Sequence, residues 1–460
     1  VNVIKDEKAT VQVDQVLDSL NPNQSYFTGQ AADDHGLKEI RLVCYPSDDI
    51  NNIQRISLES PSTNVYQFYY TFPSGLALET GKDYELYFLV RDNDGLRGGK
   101  EAKSKVFSTR LLDNKELKNK VLESNRTIID QMDRSLDRLK TQKEILTDIN
   151  NKQKENRNLN FNDQNQIKDF LKKQQQQEEL MQKFSEELKD NLNRTGEKDE
   201  LNRLLQERLE RQEIAARKNQ KLLEELNKIA DKIEQEDLKK ELEEQAKRQS
   251  NSERNLEQLL ELTKRYYVTE KATQLARALD ELAKTQKKAS TVQNIDSLDA
   301  IMQRALNNDF DKIAEEIEEL KKDNQALKKP LNLEAPKDKQ DAIKNDQREA
   351  LDELNRGNDE EQSSTDRKEE NRNTEAQKKQ KAAAEKIKEL SKGLQQSAMS
   401  GSSGSEDAED ADMLRQILEN LIKFSFKQEK LFDVLQDSRG ELSEFSNTVK
   451  EQKQLRNVFE

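Results

Sequence analysis

The chain has 460 residues, of which 32% are apolar, 37% charged and 5% aromatic, with no Trp. Soluble domains usually hold about 45–50% apolar and about 25% charged residues, so most of this chain needs solvent on several sides and cannot be one ordinary globular core. A net charge of −13 gives no support to phosphate attraction and sets nucleic-acid partners aside. A lone Cys44 excludes an intrachain disulfide, and a lone His35 leaves no stock of imidazoles for a metal site or general base.

Special residues divide the chain near residue 110. Seven of thirteen Gly, four of six Pro and twelve of twenty-three aromatics lie before that point. Here short runs alternate with period two, the mark of strands: Leu37 to Tyr45, Val65 to Phe72, Asp83 to Val90 and Val106 to Thr109. Turn chemistry separates them, at DDHG (Asp33 to Gly36), PSG (Pro73 to Gly75), TGKD (Thr80 to Asp83) and DNDG (Asp92 to Gly95). The spacing predicts a β-sandwich of about 100 residues, with Cys44 inside it as a small hydrophobe.

Helix takes over beyond residue 110. No Pro occurs until Pro330, and Gly196 is the one Gly between Gly99 and Gly357, while good helix formers dominate. DNKE at Asp113 to Glu116 has capping-box spacing and marks the first helix start. Ile167, Phe170, Leu171, Met181, Phe184, Leu188 and Leu192 share one face, as do Leu222, Leu223, Leu226, Ile229, Ala230 and Ile233. Polar breaks at Asn150 to Asp163, Asn193 to Asp199, Gln249 to Ser252 and Asn307 to Asp309 are expected reversal points. Residues 111–329 would reach about 330 Å as one helix, and the breaks favour antiparallel hairpins in an elongated coiled-coil bundle instead.

Residues 330–411 read as a charged, low-complexity linker. Pro330 and Pro336 end the helical region, and Glu360 to Ala376 has almost no apolar side chain with which to offset its ordering entropy. A short Ala-rich helix at about 378–394 precedes a flexible acidic stretch, Ser397 to Asp412. Within the last part, 412–460, Met413 to Leu435 is the most apolar helical stretch and is expected to dock. The fold class is thus an N-terminal β-sandwich followed by an α-helical bundle. No run of 18 apolar residues and no secretory signal is present; the start at Val1 rather than Met suggests a longer or processed protein.

Few residues carry chemistry. Asp33, Asp34, Asp92 and Asp94 cluster carboxylates in two turns and would suit Ca²⁺. Asx turns explain the same residues, and the twelve-residue calcium-loop pattern fails because Val90 occupies its first position. Asp34 beside His35 would orient a base, yet no nucleophile completes a constellation, and no phosphate loop occurs. Tyr266 and Tyr267 interrupt the aliphatic pattern and form either a partner-binding patch or ring packing between helices. Phe424, Phe426 and Phe432 give the terminal helix a face for the chain's own bundle or for a partner groove. No catalytic residue and no cofactor is expected.

Four segments taken in order, TGQAADDHGLKEIRL, LVRDNDGLRGGKEAKSKVFSTR, LLELTKRYYVTEKATQLARALDELAKTQ and DMLRQILENLIKFSFKQEKL, resemble a family of large bacterial envelope proteins with a domain of unknown function. The resemblance implies an N-terminal membrane anchor, absent here, then an immunoglobulin-like module and a long helical region facing the periplasm. The expected function is a non-enzymatic envelope scaffold at the periplasmic face of the inner membrane. Its expected partners are other envelope proteins and, through its coiled coils, further copies of itself. The alternatives are a cytoplasmic coiled-coil organiser of cytoskeletal or chromosomal type and, more remotely, a carboxylate-based hydrolase resting on Asp33, Asp34, His35, Asp92 and Asp94.

Overall fold

The computed structural model describes residues 7–18, 21–93, 99–154, 161–195, 200–229, 235–291, 297–359, 366–403, 418, 421–422, 424–433 and 452. The chain divides into two compact units, Val1–Lys198 with Leu205–Thr263, and Asp199–Leu204 with Lys264–Glu460.

The first unit opens with eight strands: β1 (Thr10–Leu17), β2 (Ser25–Ala32), β3 (Leu37–Pro46), β4 (Gln54–Glu59), β5 (Val65–Phe72), β6 (Lys82–Asp92), β7 (Glu101–Lys103) and β8 (Phe107–Leu111). A three-stranded sheet, β1-β2-β5, faces a five-stranded one, β4-β3-β6 with β7 and β8 both on β6, and every pairing is antiparallel. Period-two alternation sends one row of each sheet inward. Phe88 sits at the centre, its ring 5.5 Å from Phe27 and 5.3 Å from Phe68, while Phe27 meets Phe107 edge-on at 5.0 Å. Cys44 lies inside this core as expected, and burial pushes its thiol up to about 11, which leaves it inert.

The four strands read from sequence correspond to β3, β5, β6 and β8. β1, β2, β4 and β7 were not foreseen. β2 presents Ser25, Phe27, Gly29 and Ala31 to the core, and only one of these is large. Gly29 is needed because a Cβ there would fall 2.1 Å from the Phe68 ring. β1 buries Val13 alone.

Between β8 and the first helix the backbone is clasped. Asn23 donates to the Leu112 carbonyl at 3.0 Å and accepts from the Leu112 amide at 2.8 Å, so one side-chain amide takes the place of a neighbouring strand. The capping box then forms: Asp113 Oδ1 accepts from the Glu116 amide at 2.8 Å, and Glu116 Oε2 accepts from the Asp113 amide at 3.0 Å. That amide, followed by the Arg110 guanidinium, holds the Glu116 carboxyl below its ordinary value.

Helices α1 (Asn114–Lys154), α2 (Phe161–Thr195), α3 (Glu200–Ile229) and α4 (Gln235–Ala289) follow. Polar contacts show that neighbours run antiparallel in the first unit: Gln177 of α2 meets Ser135 of α1 and Asn191 meets Asn125; Lys189 of α2 meets Glu213 of α3 and Glu178 meets Asn219. Two expected reversal points hold, since α1 ends at Lys154 and α2 at Thr195. A third does not. α4 continues through Gln249 to Ser252 because these polar side chains bond across to other helices, Gln249 Nε2 to the Leu139 carbonyl and Ser252 to Asn219. On the apolar face read over 222–233, Leu223 is buried and Leu222 exposed; α3 ends at Ile229, and residues 230–234 lie outside the described set.

In the second unit the later part of α4 packs with α5 (Ser297–Gln325), α6 (Lys337–Asp359) and α7 (Asp366–Ser403). α5 runs unbroken through Asn307 to Asp309, against the expected reversal, because Asn307 donates to the Gln347 carbonyl and accepts from Gln303. The linker reading of 330–411 is overturned for its described part. α6 and α7 form an antiparallel pair, with Asp346 joined to Lys386 and Glu349 to Lys379. Their buried seams advance in steps of three and four: Gln340, Ile343, Gln347, Ala350 and Leu354 on α6; Ala376, Gln380, Ala383, Ile387, Leu390 and Leu394 on α7. α7 therefore begins before and ends after the helix expected at 378–394, and Ser397 and Ala398 are buried within it rather than in a flexible stretch. Residues 404–412 lie outside the described set.

The glutamines in these seams meet. Gln286 of α4 and Gln303 of α5 exchange hydrogen bonds at 2.7 and 3.2 Å, Gln380 of α7 donates to Gln303 at 3.0 Å, and Gln347 of α6 donates to Gln286 at 3.0 Å. Four helices thus share one buried amide layer.

Candidate functional site

Three sites were expected from sequence. The carboxylate turns come together at one end of the two sheets, where the Asn93 amide donates to the Gly36 carbonyl at 3.0 Å and Leu37 pairs with Asp92. Two of the described carboxylates hold backbone amides of their own loops. Asp33 is buried and accepts from the His35 amide at 3.0 Å; Asp92 is buried and accepts from the Lys100 amide at 2.8 Å. Asp34 lies nearer the surface, its Oδ2 3.0 Å from His35 Nδ1, and that ring contact holds its carboxyl below the ordinary value. Asp94 lies outside the described residues. Among the described residues no three His, Cys, Asp or Glu gather in a way that would hold a metal ion. Asp33 thus makes an Asx turn, accepting from the amide two residues on, while Asp92 closes the longer loop between β6 and β7.

Tyr266 and Tyr267 are turned inward. They are 2% and 6% exposed in the second unit, so they pack among the helices and are not presented as a surface patch. The terminal helix behaves otherwise. Within 424–433 Phe426 is 67% and Phe432 65% exposed, and Leu418 and Ile422 are exposed too, while Leu431 is buried and Phe424 is half-buried. The described apolar residues here mostly face outward, which gives no support to packing on the chain's own bundle, one of the two readings offered for this face.

Sequence reading missed two features. One is a half-open cavity of about 1640 Å³ in the first unit, where the end of β8 meets α1 and α2. Asn23, Arg110, Leu112, Lys120, Ser124 and Asn191 are among the residues lining it, and its charges are mixed, with Arg110 paired to both Glu116 and Asp83. No motif signals it, because its residues come from three separate stretches of the chain. The other is Glu178 of α2, 2% exposed in the midst of four helices; an acidic residue in a charged helix gives no sign of burial.

No helix among the described residues is long and apolar enough to cross a membrane. Comparison with known proteins adds no relative: no family model matches the chain, and no curated protein or solved structure is similar to it.

Proposed function

We propose that this chain is a non-enzymatic scaffold of the bacterial cell envelope, in which an immunoglobulin-like β-sandwich carries helical coiled-coil hairpins that bind other proteins at the periplasmic face of the inner membrane. The observation that carries the reading is the disposition of the helices. α1 has 41 residues and α7 has 38, about 60 Å each at 1.5 Å per residue and twice the span of a small domain. Each buries one seam and leaves its other faces charged, which gives much outer surface for every residue placed inside. Ile214 of α3, 57% exposed, and Phe426 are apolar points on such surface, the kind of residue that anchors a protein partner.

Two antiparallel sheets around one core within about 100 residues support the immunoglobulin-like part of the reading. The ordered resemblance of four sequence segments supports the envelope location. The test is in-cell photo-crosslinking from positions 214 and 426, with the buried position 266 as control, combined with protease added to spheroplasts. Envelope proteins captured at the exposed positions alone, and cleavage by the external protease, are the expected results. Absence of any captured protein at both exposed positions, or full protection from the protease, overturns the proposal.

A further inference from the structure

At mid-length of the first unit's helices, α2 places Gln174, Gln177 and Glu178 inside, exposed by 0%, 3% and 2%. Neutral groups surround them. Gln177 meets Ser135 of α1; Glu178 Oε1 accepts from Asn219 Nδ2 of α3 at 3.2 Å and from Gln174 Nε2 at 3.4 Å; Asn219 Nδ2 also lies 3.3 Å from Ser252 Oγ of α4.

The remaining atoms do not balance while the carboxyl is ionised. Glu178 Oε2 and Gln174 Oε1 are both buried acceptors, and neither has a donor among the described residues. Two acceptors one helical turn apart lack a single hydrogen between them. A proton on Glu178 Oε2 supplies it, because the acid O–H then donates to Gln174 Oε1 while Gln174 Nε2 donates to Glu178 Oε1, a cyclic acid–amide pair that satisfies both side chains.

We propose that Glu178 is a proton-operated clasp: as the neutral acid it closes the packing of α1 to α4 in the first unit, and loss of its proton loosens that packing.

The charged side chains at this level do not act on the carboxyl. At this level the helices carry Arg134 and Arg138 on α1, Lys173 and Glu179 on α2, Arg217 and Lys218 on α3, and Arg248 and Glu253 on α4. The first six are exposed, Glu253 is paired with Lys143 at 2.7 Å, and Arg248 is half-buried. Burial is the chief influence on the Glu178 carboxyl and pushes it up to about 7; the hydrogen bonds from Asn219 and Gln174 oppose this, and no neighbouring charge contributes. The clasp therefore opens close to neutrality. In the unfolded chain the group returns to its ordinary value of 4.5. Because the folded state holds the proton more tightly, the contribution to stability is full below that value, falls as pH rises toward 7 and is constant above. Across this window the folding equilibrium of the first unit drops on the order of a hundredfold.

The experiment uses the full chain and its Glu178→Gln variant, which keeps the shape and the hydrogen-bond donor of the neutral acid at every pH. Thermal midpoints and amide exchange of α2 are followed from below pH 5 to above pH 8, with exchange corrected for its intrinsic pH dependence. Expected is a wild-type midpoint that falls across the window and α2 amides that lose protection, with both effects absent or much reduced in the variant. Parallel profiles for the two proteins overturn the clasp. A carbon-13 NMR titration of the Glu178 carboxyl in the wild-type protein decides independently if the variant does not fold: titration near neutrality supports the clasp, and titration near the ordinary carboxylate value refutes it.

Discussion

The buried amide layer of the second unit makes a demanding prediction. Gln303 is its hub, with Oε1 accepting from Gln286 and Gln380 and Nε2 donating to Gln286 and Asn307. Gln303→Met changes the side-chain volume little and strands two donors, on Gln286 and Gln380, at positions exposed by 0% and 3%. A buried polar group left without a partner costs about 1–3 kcal/mol, so the single substitution should cost about 2–6 kcal/mol. Replacing Gln286, Gln303, Gln347 and Gln380 together by Met removes donors and acceptors alike, and a well-packed apolar layer is then close to neutral, within about 2 kcal/mol of wild type. Urea unfolding followed by helical ellipticity, with amide exchange of α5 and α6 to assign the transition, reads both values. A single variant that costs less than about 1 kcal/mol, or a quadruple variant that loses the sum of four singles, would refute the reasoning.

Three further outcomes are expected. Asp113→Ala removes the cap of α1 and should lower the stability of the first unit by about 0.5–2 kcal/mol in denaturant titration, whereas Asp113→Ser should recover most of it. Gly393→Ala, in the middle of α7, gains about 1 kcal/mol of helix propensity but sets a Cβ 2.8 Å from the Glu334 carbonyl oxygen; the backbone contact should win, giving a net loss in thermal midpoint. Asp92→Ala deprives the Lys100 amide of its acceptor and should destabilise the strand region by about 1–3 kcal/mol, with midpoints of both proteins unmoved by added calcium; a calcium-dependent rise confined to wild type would restore the metal reading of these turns.

Why some elements were legible and others not follows from particular residues. β5 and β6 announce themselves because large aromatic or branched side chains occupy nearly all their inward positions, such as Phe68, Tyr70 and Phe72 on β5 and Tyr84, Leu86, Phe88 and Val90 on β6. β2 does not, since small residues, Gly29 and Ala31, occupy its inward face beside Phe27, with Gly29 making room for Phe68. The capping box of α1 was readable because its mechanism lies within four consecutive residues. The pairing of α6 with α7 was hidden because Gln340, Gln347 and Gln380 sit where a hydrophobic seam would carry Leu, and a polar residue discloses its burial only when its partners on other helices are known. Of the candidate sites, Asp33 makes the bond of an Asx turn, whereas Asp92 reaches an amide eight residues on, which no local pattern discloses. The inward packing of Tyr266 favours the ring-packing reading over the surface patch, and Glu178 carried no local signal at all.

The two-way clasp of Leu112 by Asn23 has a mechanical consequence. β8 ends at Leu111, Leu112 is pinned through both its amide and its carbonyl, and Asp113 is locked into the cap of α1. The joint therefore contains no residue free to act as a hinge. A pull or twist applied to the sheets is handed to α1 as to a welded lever, and anything that fixes the direction of the strands fixes the direction in which that helix points.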